Sequence, residues 1–300
     1  MDTRPFDDIR ALVESLPGPA AAPAPPRRGL GRLEETALWL AAWTGRTPPS
    51  VNRPIIAIYA GAHGVAAHID AGPPVRGLLE AMAAGLAPVS VLAQAQGAGL
   101  DAYDLAVDRP VGDITARAAM SEKECAATMA FGMEALAKQP DLLVVGEAGA
   151  GGDIAAAAVA QALFGGQPRD WTDHPDLVGR AVVRAREEGA DAPLDLLRQL
   201  GGREMAAIAG AILTARTQKT PVLLDSYAAC AAAAVLQALR PDALDHCLAA
   251  HVSTLAGHAI LLEHLGKTPL LDLSIAAGAG TGGAAAIGLV RLASACFQPR

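Results

Sequence analysis

Residues 141–163 read DLLVVGEAGAGGDIAAAAVAQAL, and this stretch decides the fold. Leu142 to Val145 form a short apolar run, which is typical of a strand buried on both faces of a parallel sheet. A turn dense in glycine follows the run, and the alanine-rich segment after it predicts a helix packed closely on that strand. Such a unit brings backbone N–H groups and the positive end of a helix dipole to one point, which can hold a phosphate.

The glycine turn differs from the two common nucleotide-binding fingerprints. The Walker form needs Lys and then Ser or Thr after its last glycine, whereas Gly152 and Asp153 follow Gly151 here. The Rossmann form needs a third glycine where Ile154 stands. Asp153 also places a carboxylate where an anion would sit. The turn therefore predicts either a phosphate or phosphoribosyl site or a purely structural tight turn.

Composition and charge exclude several classes of function. The chain has 300 residues and a net charge of −7 without a basic block, which argues against nucleic acid as a partner. The four cysteines form no C-x-x-C pair and indicate reduced core residues of a cytosolic protein. The charged N-terminus lacks the apolar core of a signal peptide, so we predict a cytoplasmic location. The dispersed histidines predict no metal site, and nothing predicts a cofactor.

One apolar segment imitates a membrane span. Leu273 to Val290 carries no charge and contains five glycines. Its hydrophobicity is low and its length is only the minimum of roughly 18 residues that a span needs. The segment therefore predicts a glycine loop leading into a helix, with no contact to a membrane.

Further apolar runs alternate with helical patterns along the chain. Pro54–Ala60 and Pro221–Asp225 predict buried strands, and Pro88–Leu92 and Ala102–Val107 predict further short ones. Because the strands alternate with helices, we predict an α/β fold: a doubly wound, mostly parallel sheet with helices on both faces.

The two ends of the chain show helical patterns without predicted strands. The segment from Gly18 to Pro26 is rich in proline and alanine and predicts a linker. We therefore predict a large α/β substrate-binding domain over residues 51–265. Residues 1–50 and 266–300 together predict a small helical subdomain.

Polar residues follow several of the predicted strands. His63 lies between glycines after the first strand, where α/β proteins bind ligands, although an ordinary loop histidine is an equal alternative. Glu147 follows the strand of the opening stretch and faces its glycine turn. Asp225 ends a later strand.

Ten short segments occur in an order that resembles one known family. They are Leu30–Glu34, Ala60–Val65, Gly146–Gly151, Gly201–Ala207, Ala209–Leu213, Pro221–Asp225, Leu244–Leu248, His251–Ser253, Gly257–His258 and Gly266–Leu271. Together they resemble the nicotinate-nucleotide:dimethylbenzimidazole phosphoribosyltransferases, which activate the lower base of cobalamin. The resemblance covers nearly the whole chain, and CAATMAFGMEA at Cys125–Ala135 is similar to the alphaproteobacterial branch.

The resemblance implies a homodimer with a doubly wound sheet, and it implies a reaction. A ring nitrogen of 5,6-dimethylbenzimidazole attacks the anomeric carbon of nicotinate mononucleotide, nicotinate departs, and a carboxylate takes a proton from the other ring nitrogen. The product is α-ribazole phosphate. The substrate-binding positions that the resemblance implies are His63, Gly149, Gly151, Gly152, Asp225, Ser253, His258, Gly278, Gly280, Thr281 and Gly282.

The chain departs from the family pattern at both substrate sites. The family's last glycine loop reads Gly-Glu-Gly-Thr/Ser-Gly, and Ala279 occupies the position of its general-base glutamate. The family's phosphate turn continues Gly-Asn-Thr-Thr, where Gly152-Asp153-Ile154 stands here. Ala62 replaces an Asn or Asp, the segment His68–Gly77 is shorter, and Trp171–Val178 lacks a Gly-Thr-Gly.

Three hypotheses follow from these departures. The first is the family reaction with Glu147 as a substitute base, although Glu147 has an alternative role in capping the next helix or binding a ribose hydroxyl. The second is an inactive paralogue that serves as a ligand-binding protein or as a partner subunit, either as a homodimer or in a heterodimer with an intact homologue. The third is an enzyme for an uncharged substrate, in which Asp153 binds a hydroxyl or a cation.

Overall fold

The computed structural model describes residues 4–20, 29–70, 72 and 74–297. Its main sheet has five strands, paired in the order β2-β1-β3-β4-β5. All four pairings are parallel, so the carboxyl ends of the strands lie at one edge, which we call the carboxyl edge. The strands are β1 Pro54–Ala62, β2 Gly99–Asp104, β3 Leu142–Ala150, β4 Val222–Leu224 and β5 Cys247–Ala249.

Helices connect these strands, and a second small sheet follows them. Strands β6 (His251–Ser253) and β7 (Leu271–Ile275) pair in parallel in that small sheet. The α-helices are α1 Asp7–Glu14, α2 Arg32–Thr44, α3 Val75–Ala83, α4 Pro88–Ala95, α5 Glu122–Gly132, α6 Gly152–Phe164, α7 Pro168–Trp171, α8 Pro175–Glu187, α9 Pro193–Leu200, α10 Arg203–Thr217, α11 Tyr227–Leu239, α12 Ala256–His264 and α13 Thr281–Ala295. Short 3₁₀ helices cover Gly64–His68 and Met133–Leu136.

Both faces of the main sheet are buried. Because successive side chains of a strand point to opposite faces, β1 contributes to two hydrophobic clusters. Ala57 and Tyr59 join the cluster that contains residues of α6, α10 and α11, whereas Ile56 and Ile58 join the cluster that contains residues of α4 and α13. The prediction of a doubly wound parallel sheet with helices on both faces is therefore confirmed.

The alanine-rich composition allows helices to pack very closely. At the crossing of α5 and α10, a Cβ added at Gly132 would collide with the carbonyl of Ala207. A Cβ added at Gly210 would likewise collide with the carbonyl of Met129. Small residues at these points bring the two helix backbones into direct contact beneath the sheet.

Two sequence predictions about strands are wrong. Pro88–Leu92 lies in α4, where Pro88 occupies the first turn, because a short apolar run does not distinguish a strand from a buried helix. The last 30 residues also contain a strand, β7, whose mostly exposed side chains give no apolar alternation. The strand predicted at Ala102–Val107 is β2, which begins three residues earlier and ends at Asp104.

The two ends of the chain contact both faces of the sheet. Phe6, Ile9 and Val13 of the α1 region belong to the cluster that contains residues of α11, whereas α2 packs against α13 on the opposite face. The linker predicted at Gly18–Pro26 lies mostly outside the described residues. The division into a large domain and a small helical subdomain stays a prediction.

Within the described residues, one stretch meets the length and hydropathy criteria of a membrane span. It is Val75–Ala95, which has a mean hydropathy of 1.5 and only 22% of whose apolar part is buried. A turn at residues 84–87 separates α3 from α4, so this stretch consists of two short helices. The segment Leu273–Val290 contains the predicted glycine loop and part of α13, but its first three residues belong to β7, which was not predicted.

Candidate active site

The carboxyl edge gathers most of the polar residues that the sequence singled out. His63 follows β1, Glu147 lies near the end of β3, and Asp225 follows β4. These three strands are neighbours in the sheet, so the side chains converge although they are far apart in sequence. This edge is where parallel α/β sheets bind their ligands.

A buried pair joins His63 to a residue that the sequence analysis missed. The Nε2 atom of His63 and the Oε1 atom of Glu204 lie 2.9 Å apart, and both side chains are fully buried. Gly202 and Gly61 make room for this pair, because a Cβ at either position would collide with the Glu204 carboxylate. The Gly201-Gly202 pair just before α10 was the sequence signal that could have pointed to Glu204.

Glu147 lies next to this pair and holds an unpartnered oxygen. The residue is partly exposed, but its Oε2 atom is buried and has no hydrogen-bond partner within the described residues. Burial raises the pKa of Glu147 well above its ordinary value, and the negative charges of Glu204, Asp153 and Asp225 raise it further. Glu147 is therefore a carboxyl group that readily holds a proton.

Glu204 shows the opposite electrostatic behaviour. Burial pushes the pKa of Glu204 upward, but the adjacent His63 and backbone N–H groups together outweigh burial, so the pKa lies below its ordinary value. These N–H groups belong to Glu204 and Met205. The two acids thus separate in affinity for a proton, and Glu147 binds one more readily than Glu204 does.

We expect Glu147→Gln to change how stability depends on pH. Because the folded protein raises the pKa of Glu147, it keeps a proton that the unfolded chain releases above the ordinary value of 4.5. The free energy of unfolding of the unsubstituted chain should therefore fall as pH rises from 4.5 towards the pKa that Glu147 has in the folded protein. Glutamine carries no titrating proton, so the variant should gain about 1 kcal/mol or more relative to the native chain over this window.

Urea unfolding of both proteins from about pH 5 to about pH 8 measures this difference. The exposed Glu14→Gln on α1 is the matched control and should follow the native curve. If the native and Glu147→Gln stabilities stayed parallel across the range, the pKa of Glu147 would not be raised by folding.

Asp225 occupies the N-terminus of α13. Its Oδ2 atom accepts a hydrogen bond of 2.8 Å from the Gly280 N–H, and its Oδ1 atom accepts one of 2.6 Å from the Gly283 N–H. Burial raises the pKa of Asp225, and nearby His251 together with these N–H groups opposes that rise. The last glycine loop is therefore bound by a carboxylate of the protein itself.

The N-terminus of α6 has no such side-chain acceptor in the described part of the chain. Gly151 adopts a left-handed conformation with φ of +81° and turns the chain from β3 into the helix, without a side-chain cap. Within the described residues no side chain accepts a hydrogen bond from the N–H groups of Gly152, Asp153 or Ile154. The carboxylate of Asp153, in the first helical turn, is partly exposed beside them. Of the two glycine loops, this one has N–H groups available for an anion.

Ser253 and His258 contact each other near the same edge. The N–H and the Oγ of Ser253 lie 3.0 and 2.9 Å from the Nδ1 atom of His258, and the Nε2 atom lies 3.4 Å from the Cys230 sulfur. Burial lowers the pKa of His258 to about 3, and neighbouring His251 adds to this shift. His258 is therefore neutral and accepts the Ser253 N–H, and its role in binding substrate stays a prediction.

Ala279 and Glu147 belong to opposite faces of the sheet. Ala279 is buried in a left-handed conformation, with φ of +49°, between Gly278 and Gly280. A Cβ added at Gly146 would lie 2.9 Å from the Gly280 nitrogen, so Gly146 faces this loop. Because side chains alternate along β3, Glu147 points to the other face. The structure therefore does not bring the two side chains into one position.

The described part of the chain contains no group of three or more His, Cys, Asp or Glu side chains arranged to hold a metal ion. Glu204 instead pairs with His63, and Asp225 accepts hydrogen bonds from backbone N–H groups. The Oε2 atoms of Glu147 and Glu204 have no hydrogen-bond partner among the described residues. The chemistry that this arrangement offers is proton transfer and hydrogen bonding by carboxyl groups, beside an open helix N-terminus.

Comparisons with known proteins give matches over nearly the whole length of this chain. A family model described as phosphoribosyltransferase matches residues 18–299. A relative from Rhizobium etli, named nicotinate-nucleotide–dimethylbenzimidazole phosphoribosyltransferase, is 50% identical, with 98% of this chain and 94% of the relative covered. A relative of the same name from Agrobacterium fabrum is 48% identical, with 99% and 94% covered.

A solved structure extends this similarity to the fold. The structure of a nicotinate-nucleotide–dimethylbenzimidazole phosphoribosyltransferase from Thermus thermophilus matches with a TM-score of 0.82 and 31% identity, over 99% of this chain and 96% of that one. The alignment with the Rhizobium etli relative extends over 319 positions, which exceeds the 300 residues of this chain. That relative therefore has segments that this chain lacks.

Proposed function

Because the chain belongs to the nicotinate-nucleotide:dimethylbenzimidazole phosphoribosyltransferase family, we propose that it transfers phosphoribose from nicotinate mononucleotide to 5,6-dimethylbenzimidazole. The products are α-ribazole phosphate and nicotinate. The observation that carries this proposal is the carboxyl of Glu147, with its unpartnered buried oxygen, at the carboxyl edge of β3. The names of relatives at about half identity over nearly the full length support the choice of substrates.

In this proposal the nucleotide phosphate binds at the N-terminus of α6. Its N–H groups and the helix dipole attract an anion, whereas Asp225 already occupies the corresponding position of α13. The carboxylate of Asp153 opposes the phosphate and weakens its binding. The nucleotide is therefore held by backbone groups and shape more than by charge.

The proton of the acceptor base goes to Glu147. One ring nitrogen forms a bond to the anomeric carbon while the bond from that carbon to the nicotinate nitrogen breaks, and nicotinate leaves with the bonding electron pair. The second ring nitrogen then gives its proton to the Glu147 carboxylate. A raised pKa suits this role, because burial makes the Glu147 carboxylate a stronger proton acceptor than an exposed glutamate.

A second candidate function is binding without turnover. Ala279 stands where the resemblance places the general base, and an alanine side chain accepts no proton. Asp153 stands in the turn that would hold the phosphate, and its charge repels an anion. Both observations favour a ligand-binding protein or a partner subunit that keeps the family fold.

The experiment that decides between these functions combines turnover with binding. The native chain is incubated with nicotinate mononucleotide and 5,6-dimethylbenzimidazole, and the products are separated by chromatography. We expect nicotinate and α-ribazole phosphate in equal amounts. Absence of both products, together with calorimetric binding of the benzimidazole alone, would contradict the transferase and support the ligand-binding protein.

We also propose that the chain acts in the cytoplasm as a homodimer, as the resemblance implies. The heterodimer with an intact homologue belongs to the second candidate function. Measurement of molar mass in solution, alone and with such a homologue, distinguishes the two assemblies.

A further inference from the structure

A polar cavity lies at the edge of the main sheet opposite the carboxyl edge. Its volume is about 420 Å³, and its lining includes Arg53, Asp141 and Pro221, which immediately precede β1, β3 and β4. These are the strands whose other ends carry His63, Glu147 and Asp225. The cavity is therefore separated from the candidate active site by the length of the sheet.

Positive charge dominates this cavity. Its lining has three cations, Arg46, Arg53 and Lys219, and a single acid, Asp141. Such an excess is notable in a chain whose net charge is −7. A cleft that concentrates cations attracts anions even when the whole protein repels them.

The single acid lies beside one of these cations and leaves the other two without a partner in the part of the chain that the structure describes. The two oxygens of Asp141 accept hydrogen bonds of 2.7 and 2.8 Å from the backbone N–H groups of Asn52 and Arg53. The guanidinium of Arg46 lies 3.8 Å from the carboxylate and is half exposed. Within the described residues, no hydrogen bond or ion pair engages the Arg53 guanidinium or the Lys219 ammonium group.

The same contacts fix the shape of the cavity. Asp141 is nearly fully buried and ties the segment before β1 to the start of β3. Gln139 and Gln218 also line the cavity, and their side-chain amides have no partner among the described residues. The rim thus presents two unpaired cations together with neutral donors and acceptors.

We infer that this cavity binds a small phosphate ester. Arginine and lysine side chains without partners suit the dianionic phosphate, and the glutamine amides suit hydroxyl groups of the esterified part. The volume exceeds that of an isolated phosphate and lies at the lower end of small-molecule sites. A nucleic-acid strand would need a longer basic stripe than these three cations supply.

Calorimetric titration with glucose 6-phosphate and with inorganic phosphate, at low ionic strength, tests the inference. The native chain should bind glucose 6-phosphate saturably and more tightly than inorganic phosphate. The double variant Arg53→Gln, Lys219→Gln should bind it at least about tenfold more weakly, because it loses both charge-assisted contacts.

A charge-matched double variant controls for general attraction. Arg169→Gln with Arg180→Gln removes two cations from a separate cavity beside α7 and α8 and should change the affinity by less than about twofold. Equal weakening in both double variants, unchanged binding in the first, or no saturable binding by the native chain would overturn the inference.

The inference can fail independently of the proposed function. Backbone amide NMR signals of Asp141 and Thr220 should shift on titration of the native chain, whereas those of Gly152 at the carboxyl edge should not. Shifts confined to Gly152 would place the bound ester at the candidate active site and would overturn the inference that the polar cavity binds it.

Discussion

Glu147→Gln is expected to lower the turnover of nicotinate mononucleotide by about 10² to 10⁴-fold, because glutamine cannot accept the proton of the benzimidazole. The substitution keeps the size of the side chain and removes only its acid–base chemistry. Burial and the neighbouring acids raise the pKa of Glu147, so the carboxyl is suited to hold that proton. The measurement is the initial rate of nicotinate release at saturating concentrations of both substrates.

Two further variants make this result specific. Glu14→Gln, on the exposed surface of α1, should retain the native rate. Ala279→Glu should restore part of the rate in the Glu147→Gln background, because it returns a carboxyl to the position that the resemblance assigns to the base. Ala279 already adopts a left-handed conformation, so glutamate there adds no new backbone strain.

The outcomes separate the two roles of Glu147. An unchanged rate in Glu147→Gln would exclude Glu147 as the base and leave it a structural or ribose-binding residue. A rate loss that Ala279→Glu does not restore, with nucleotide binding lost as well, would show that Glu147 supports binding and not proton transfer.

Asp225→Ala is expected to lower the free energy of unfolding by about 3 kcal/mol or more. The substitution leaves the N–H groups of Gly280 and Gly283 without their buried acceptors, and hydrogen bonds to a charged group contribute roughly 1.5–3 kcal/mol each. It also opens space between β4 and the start of α13. We expect the midpoint of thermal unfolding to fall by roughly 5–10 °C.

A graded pair of substitutions tests this cause. Asp225→Asn keeps one acceptor oxygen and turns an NH₂ group toward the other N–H, so its loss should lie between those of the native chain and the alanine variant. The exposed Asp272→Ala on β7 should change stability by less than about 0.5 kcal/mol. Hydrogen exchange of residues 278–284 should accelerate only in the Asp225 variants. A loss below about 1 kcal/mol in Asp225→Ala would contradict the capping role.

Periodicity and turn residues by themselves determined the general architecture of this protein. The apolar run at Leu142–Val145 and the alanine-rich segment after it predicted β3 and α6, because burial on both faces leaves a local signature in the chain. The run at Pro88–Leu92 lacked such a signature, since its apolar residues suit a helix and a strand equally, and only packing against the sheet decided in favour of α4.

Tertiary structure alone decided how the candidate site is arranged. Gly146 and Glu147 are neighbours in sequence, yet they face opposite sides of β3. His63 and Glu204 are in contact although they are 141 positions apart. The sequence named Asp225, but only the fold showed that both its oxygens are engaged by the loop before α13 and its first turn. Side-chain partners and proton affinities depend on which groups burial brings together, and that is a property of the folded chain rather than of any local pattern.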